Sequence, residues 1–146
     1  MSRRRASCDT VTFPPALLDP VAMFDLDGFK TINDTSGHDT GDRLLRQLAH
    51  AWQAAVRGGG DFLARLGGDE FGLLAPGSDE TGIRGVAKRL AEVLPDEVTA
   101  SVGVATWDRT ESASDLLRRA DRAMYQTKRR RRERRRVSAR PAPRHG

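Results

Sequence analysis

Phe62-Leu63-Ala64-Arg65-Leu66-Gly67-Gly68-Asp69-Glu70-Phe71-Gly72-Leu73-Leu74 sets two apolar runs on either side of a Gly-Gly-Asp-Glu tetrad. Short apolar runs of this kind read as strands, and a glycine pair between them supplies the positive φ that a hairpin turn requires. The tip of the hairpin therefore carries two acids. Upstream, Val21-Ala22-Met23-Phe24 leads into Asp25-Leu26-Asp27-Gly28, which predicts a buried strand ending in a turn, with Asp25 and Asp27 on one face of it.

Between these strands, Leu44, Leu45, Leu48, Trp52, Ala55 and Val56 recur at helical spacing from Thr40 onward, and Gly58-Gly59-Gly60 ends the pattern. Beyond the hairpin a second helix is predicted over about Glu80 to Leu94, stopped by Pro95. Val98, Ala100, Val102 and Val104 then alternate as a strand that reaches Ala105. Ser112 and Asp115 form a capping pattern for a last helix through Leu116, Leu117, Ala120, Ala123 and Met124, running into an arginine tract. Strands alternating with helices predict an α/β or α+β sandwich, one sheet with helices packed on it.

A chain of 146 residues is the size of one domain and can bury a working core. With 38% hydrophobic and 31% charged residues it has the composition of a globular protein. No apolar run approaches the roughly 20 residues that span a bilayer, and no signal-peptide pattern follows Met1, so a cytoplasmic location is expected. Cys8 is the only cysteine, which excludes an internal disulfide. The net charge of +5 conceals a division. Residues 128–146 hold ten Lys/Arg against Glu133, whereas residues 6–127 hold twelve basic against nineteen acidic residues. Residues 1–20 are expected to form a flexible extension, 21–128 the folded domain, and 129–146 an Arg-rich tail that is disordered beyond the last helix. Such a tail reads first as a solvated basic segment, and second as a weak contact for nucleic acid or an anionic surface.

Acids at turns are ordinarily solvated. Asp25 and Asp27 at a strand end, taken with Asp69 and Glu70 at a hairpin tip, instead fit an oxygen-ligand site for Mg²⁺ or Mn²⁺, ions that bind one or two carboxylates together with substrate phosphates. Gly67 and Gly68 beside them would let a phosphate approach the backbone. The sequence contains neither a P-loop nor a dinucleotide-binding glycine fingerprint. His38, in Gly37-His38-Asp39, reads as bracing a loop, and Trp52 as core.

Arg65-Leu66-Gly67-Gly68-Asp69-Glu70-Phe71 resembles the signature of the GGDEF domain of diguanylate cyclases. Three further blocks are similar to that family in the same order: Asp25 to Asp34 with Gly37-His38-Asp39 and Gly41-Asp42, then Ser101 to Ala105, then Ala120 to Lys128. The resemblance implies a palm-like nucleotidyl-cyclase fold with a mostly antiparallel central sheet, and condensation of two GTP into cyclic di-GMP by a homodimer with one GTP in each domain. It further implies that Asp25, the Leu26 carbonyl, Asp69 and Glu70 hold the metal, with Glu70 as ligand or base. Asn33 and Asp42 would bond the guanine edge, Gly67 and Gly68 would line the phosphates, Lys128 and Arg132 would hold the terminal phosphates, and Lys30 would help to balance charge.

Departures from the family pattern carry expectations too. The family's opening helix, with Asp-x-Leu-Thr-x-Leu-x-Asn-Arg, is not found in residues 1–20, and arginine replaces the closing Gly-Arg-Asn and strand. A domain shortened at both ends would leave apolar sheet surface that residues 13–18 cover only in small part. The family's inhibitory product site uses Arg-x-x-Asp. Here Asp61 is in place, while Gly58 takes the arginine position and Arg57 lies one residue out of register. The alternative reading is a degenerate domain that binds GTP or cyclic di-GMP without turnover.

Overall fold

The structure, a computed structural model, describes residues 20–56 and 60–139. In chain order the elements are β1 (Val21–Asp27), α1 (Phe29–Ser36), α2 (His38–Ala55), β2 (Phe62–Gly67), β3 (Glu70–Leu74), α3 (Glu80–Glu92), β4 (Thr99–Ala105) and α4 (Ala113–Ser138). The four strands form one antiparallel sheet in the order β2-β3-β1-β4, so the first strand of the chain is central. This is the sandwich of one sheet and packed helices that the alternating elements predict, with the antiparallel order that the family resemblance implies.

Period-two alternation in β1 divides the core. Ala22, Phe24 and Leu26 point to one face and pack with Leu45, Leu48, Trp52, Phe71, Leu73, Ile83 and Leu90 beneath α1, α2 and α3. Val21 and Met23 point to the other face and meet Leu116, Ala120 and Met124 of α4. Asp25 and Asp27 continue this second row, so the periodicity that buries Met23 also aims both carboxylates at α4. Trp52 is fully buried between Phe24 and Phe71, with ring centroids 5.3 and 5.0 Å away, and its Nε1–H donates to the Leu90 carbonyl at 2.8 Å. Trp52→Phe is expected to cost about 1–3 kcal/mol, because it leaves that carbonyl buried without a partner and opens space beside two rings. Urea unfolding would read the loss as a lower midpoint at unchanged slope.

α4 covers only β1 and β4 on its face of the sheet. An apolar groove of ≈ 230 Å³ remains between α4 and the edge strand β2, with Met23, Phe62, Leu66, Leu116 and Leu117 on its walls. Phe62 and Leu66 are more than half exposed there.

Two features differ from the sequence reading. Phe29–Ser36 is a helix, although Thr, Asn, Asp and Ser make it a weak one by propensity. It forms because Gly28, at φ +88°, turns the chain out of β1 and accepts a bond from Ile32 N–H at 3.2 Å, while Phe29 is buried. His38 does not brace a loop; it is the exposed first residue of α2. The last helix runs into the arginine tract, as the sequence suggests, and α4 continues to Ser138. Arginine is a good helix former, and basic residues in the last turn oppose the negative helix end. The extension expected over residues 1–20 lies, apart from Pro20, outside the described residues, as do residues 140–146.

Candidate functional site

The β1–β3 pairing sets Asp25 directly opposite Glu70. One residue further along, Leu26 N–H donates to the Asp69 carbonyl at 3.1 Å, which ties the hairpin tip to the end of β1. The tip itself is tight. Gly68 adopts φ +51°, β2 carries an irregularity between Arg65 and Gly67, and Arg65 Nε–H closes the turn on the Gly68 carbonyl at 2.9 Å. A β-carbon at Gly68 would be strained by that backbone rather than by crowding, since nothing lies within 4 Å of it.

Across from these acids lies one face of α4. Asp25, Glu70, Asp121, Arg122, Tyr125, Lys128, Arg129 and Arg132 line a common cleft of ≈ 650 Å³. Lys128 Nζ pairs with Asp25 Oδ1 at 2.7 Å, with both side chains largely buried. Burial pushes the Asp69 carboxyl above the ordinary carboxylate range, and the charge of Asp25 pushes it further. Glu70 is raised in the same way, first by burial and then by the charges of Asp25, Asp121 and Asp69. Asp25, Asp69 and Glu70 together carry more negative charge than Lys128 balances, all of it on oxygen. Hard divalent cations and phosphate-bound metal suit that donor set. Among the described residues, no three His, Cys, Asp or Glu side chains form a ready metal-ligating group. Asp25 meanwhile is held by Lys128.

The sequence-derived residues divide by location. Asp25, Glu70, Lys128 and Arg132 converge in the cleft, and Asp69, Gly67 and Gly68 adjoin it at the hairpin tip. Asn33 and Asp42 lie outside its lining, on α1 and α2. The Asn33 Oδ1 atom is buried without a hydrogen-bond partner. A β-carbon on Gly41 would come 1.8 Å from that same oxygen, so the glycine makes room for it. Lys30 is exposed on α1, and Asp61 stands just before β2. Arg57 lies outside the described residues. Sequence reasoning assigned no role to Asp121, Arg122, Tyr125 or Arg129. Their helical spacing with Lys128 and Arg132 would have placed them on the same face of α4.

Asp27 behaves differently from its neighbour Asp25. Its Oδ2 accepts from Ser101 Oγ at 2.7 Å and lies 3.4 Å from both Thr99 Oγ1 and the Arg131 guanidinium. It is turned into β4 and does not line the cleft.

The sequence model for "Diguanylate cyclase, GGDEF domain" matches residues 20–134. The probable diguanylate cyclase DgcE of Escherichia coli is 39% identical over 119 residues, which cover 74% of this chain and 11% of that protein. Diguanylate cyclase DgcP of Pseudomonas aeruginosa is 34% identical over 124 residues, covering 78% of this chain and 18% of that one. The chain therefore spans less than a fifth of these two relatives. Among solved structures, the GGDEF domain of DgcB from Caulobacter crescentus in complex with c-di-GMP superposes with a TM-score of 0.68 at 30% identity, over 75% of this chain and 71% of that one. Diguanylate cyclase SiaD from Pseudomonas aeruginosa, solved with its activator SiaC, gives 0.69 at 38% identity, over 75% and 46%. No helix among the described residues is long and apolar enough to cross a membrane.

Proposed function

This chain belongs to the diguanylate cyclase GGDEF domain family, and from that premise we propose that it condenses two GTP into cyclic di-GMP and two pyrophosphates. The observation that carries the reading is the convergence of the Asp25–Glu70 cross-strand pair with Lys128 and Arg132 in one cleft. Carboxylates on one wall and cations on the other are what a metal-bound triphosphate needs.

In this reading Lys128 and Arg132 bind the terminal phosphates, and Lys128 exchanges Asp25 for phosphate oxygen when the nucleotide enters. Asn33 offers its unpartnered Oδ1 to the guanine edge together with Asp42 of α2, so adenine would leave a buried acceptor unpaired. Gly67 and Gly68 let the phosphates lie close to the hairpin backbone, and Lys30 adds positive charge. Asp25, the Leu26 carbonyl, Asp69 and Glu70 would hold Mg²⁺ or Mn²⁺, which supplies charge neutralisation at the phosphate and a lower pKa for the attacking hydroxyl. The 3′-hydroxyl oxygen of one GTP bonds to the α-phosphorus of the other, the bond to pyrophosphate breaks, and the hydroxyl proton leaves to a base, with Glu70 placed to take it. The same exchange in the opposite direction closes the ring. One domain holds one GTP, so two copies of the chain must face each other.

The test is incubation of purified protein with GTP and Mg²⁺ and chromatographic detection of cyclic di-GMP, beside Asp69→Ala and Glu70→Ala. Product that vanishes in both variants supports the cyclase reading. GTP binding without product in the unaltered chain would replace it with a nucleotide receptor. A smaller change tests the guanine contact: Gly41→Ala is expected to displace the Asn33 side chain, weaken GTP binding about tenfold and narrow the preference for GTP over ATP. Titration of both nucleotides reads the two effects.

A further inference from the structure

The apolar anchoring of α4 stops halfway along it. Its buried residues are Leu116, Ala120 and Met124, and none follows, although the helix runs on to Ser138. Lys128 and Arg132 lie in this second half. What holds it to the sheet is a polar ladder on one helical face: Thr127 Oγ1 donates to the Val102 carbonyl at 3.0 Å, Lys128 meets Asp25, Arg131 reaches Asp27 at 3.4 Å, and Arg135 reaches Thr99 Oγ1 at 3.4 Å. The spacing from Thr127 to Arg131 to Arg135 is one rung per turn.

Of these rungs, the Lys128–Asp25 pair cannot persist unchanged if Lys128 is to meet a phosphate. The Arg131–Asp27 pair can. Ser101, fully buried, fixes the Asp27 carboxylate from the β4 side, and the Asp27 side chain is only 13% exposed. Arg131 is the cation that faces it. Arg131 also stands outside the lining of the cleft, one residue before Arg132, which is within it.

We propose that Asp27 and Arg131 are positioning residues that fasten the basic half of α4 over the cleft, so that Lys128 and Arg132 are held where the terminal phosphates of a nucleoside triphosphate would lie. The proposal rests on the reading of the cleft as a GTP site. Its effect falls on the triphosphate alone, because the fastened segment carries the cations for the terminal phosphates and nothing for the base or ribose. A guanidinium that merely added charge would act on any phosphate and be insensitive to Asp27.

The experiment compares the unaltered chain with Arg131→Gln and Arg131→Lys, using hydrogen exchange of the amides of residues 128–138 and equilibrium titration with GTP and with GMP. Arg131→Gln is expected to speed exchange across that segment and to weaken GTP binding by three- to tenfold, with GMP unchanged, and Arg131→Lys to restore most of both. Asp27→Asn should add nothing to Arg131→Gln in the double variant, since the partner is already gone. Unchanged exchange together with an unchanged GTP-to-GMP ratio in Arg131→Gln overturns the proposal, as does additivity in the double variant. If the unaltered chain binds no GTP, the reading of the cleft is what fails, and faster exchange in Arg131→Gln still establishes the fastening while unchanged exchange ends it.

Discussion

Gly103→Ala is expected to cost about 3 kcal/mol or more and to leave little folded protein. Gly103 lies in β4 directly beneath α4. A β-carbon there would stand 2.1 Å from the Met124 amide nitrogen and 2.2 Å from the Ala120 carbonyl oxygen, both backbone atoms that no side-chain rotation can move aside. The helix must lift from the sheet, and lifting it uncovers Leu116, Ala120 and Met124 together. Urea unfolding followed by circular dichroism would measure the loss. An unfolding free energy within about 0.5 kcal/mol of that of the unaltered chain would show that the helix does not pack on β4 this closely. Because α4 also carries Lys128 and Arg132, whatever Gly103→Ala protein folds should bind GTP poorly.

Glu70→Gln is expected to act in opposite senses on catalysis and stability. Formation of cyclic di-GMP should fall by about 10²–10⁴-fold, the range for removal of a group that handles the proton or the metal. The metal-free protein should become more stable. Burial and the charges of Asp25, Asp121 and Asp69 raise the Glu70 carboxyl above its ordinary range. The folded state therefore holds its proton to a higher pH than the unfolded chain does. The stability so contributed is present below the unfolded pKa and is lost as pH rises through the raised folded value, so at neutral pH the ionised carboxylate is a net cost to folding. The amide removes that cost. Thermal unfolding at neutral pH without metal should give a higher Tm for Glu70→Gln, with the difference disappearing as the pH falls below the carboxylate range. Added Mg²⁺ should raise the Tm of the unaltered chain more than that of the variant. A variant less stable than its parent at neutral pH would show that Glu70 is satisfied where it stands.

How much of this could be read from the residues depended on whether the signal was periodic or tertiary. The alternation of Val21 to Asp27 fixed which side chains face α4, and the heptad-like run from Leu44 to Val56 fixed the buried face of α2 with Trp52 at its centre. α1 escaped because Thr31, Asn33 and Asp34 have no helical preference of their own. It is made by the turn at Gly28 and the burial of Phe29, and neither is a pattern in sequence. The extent of α4 past Lys128 was not legible for the opposite reason: an arginine run broken only by Glu133 looks solvated until a strand is known to lie beneath it. Asp27 shows the same limit at a single atom. The β1–β4 register sets it opposite Thr99 and diagonal to Ser101, and that geometry turns it away from Asp25 although both lie on one face. The cleft-lining residues of α4 could be placed together by spacing, but only the packing of Met124 on the sheet shows which arc of the helix looks inward.

The position of β1 in the sheet bears on how a newly made chain reaches this fold. Both neighbours of the strand lie far downstream, since Phe24 pairs with Phe71 on one side and Val102 on the other. During synthesis the most buried strand emerges first and stays without its second neighbour until nearly the whole domain has left the ribosome. Closing such long loops is slow, and exposed strand edges in the interval invite pairing with other chains. Yield of this protein should therefore respond to slower translation and lower temperature more than to changes on its surface, and refolding from denaturant should be limited by the docking of β4 and α4 onto a β1–β3 pair already formed.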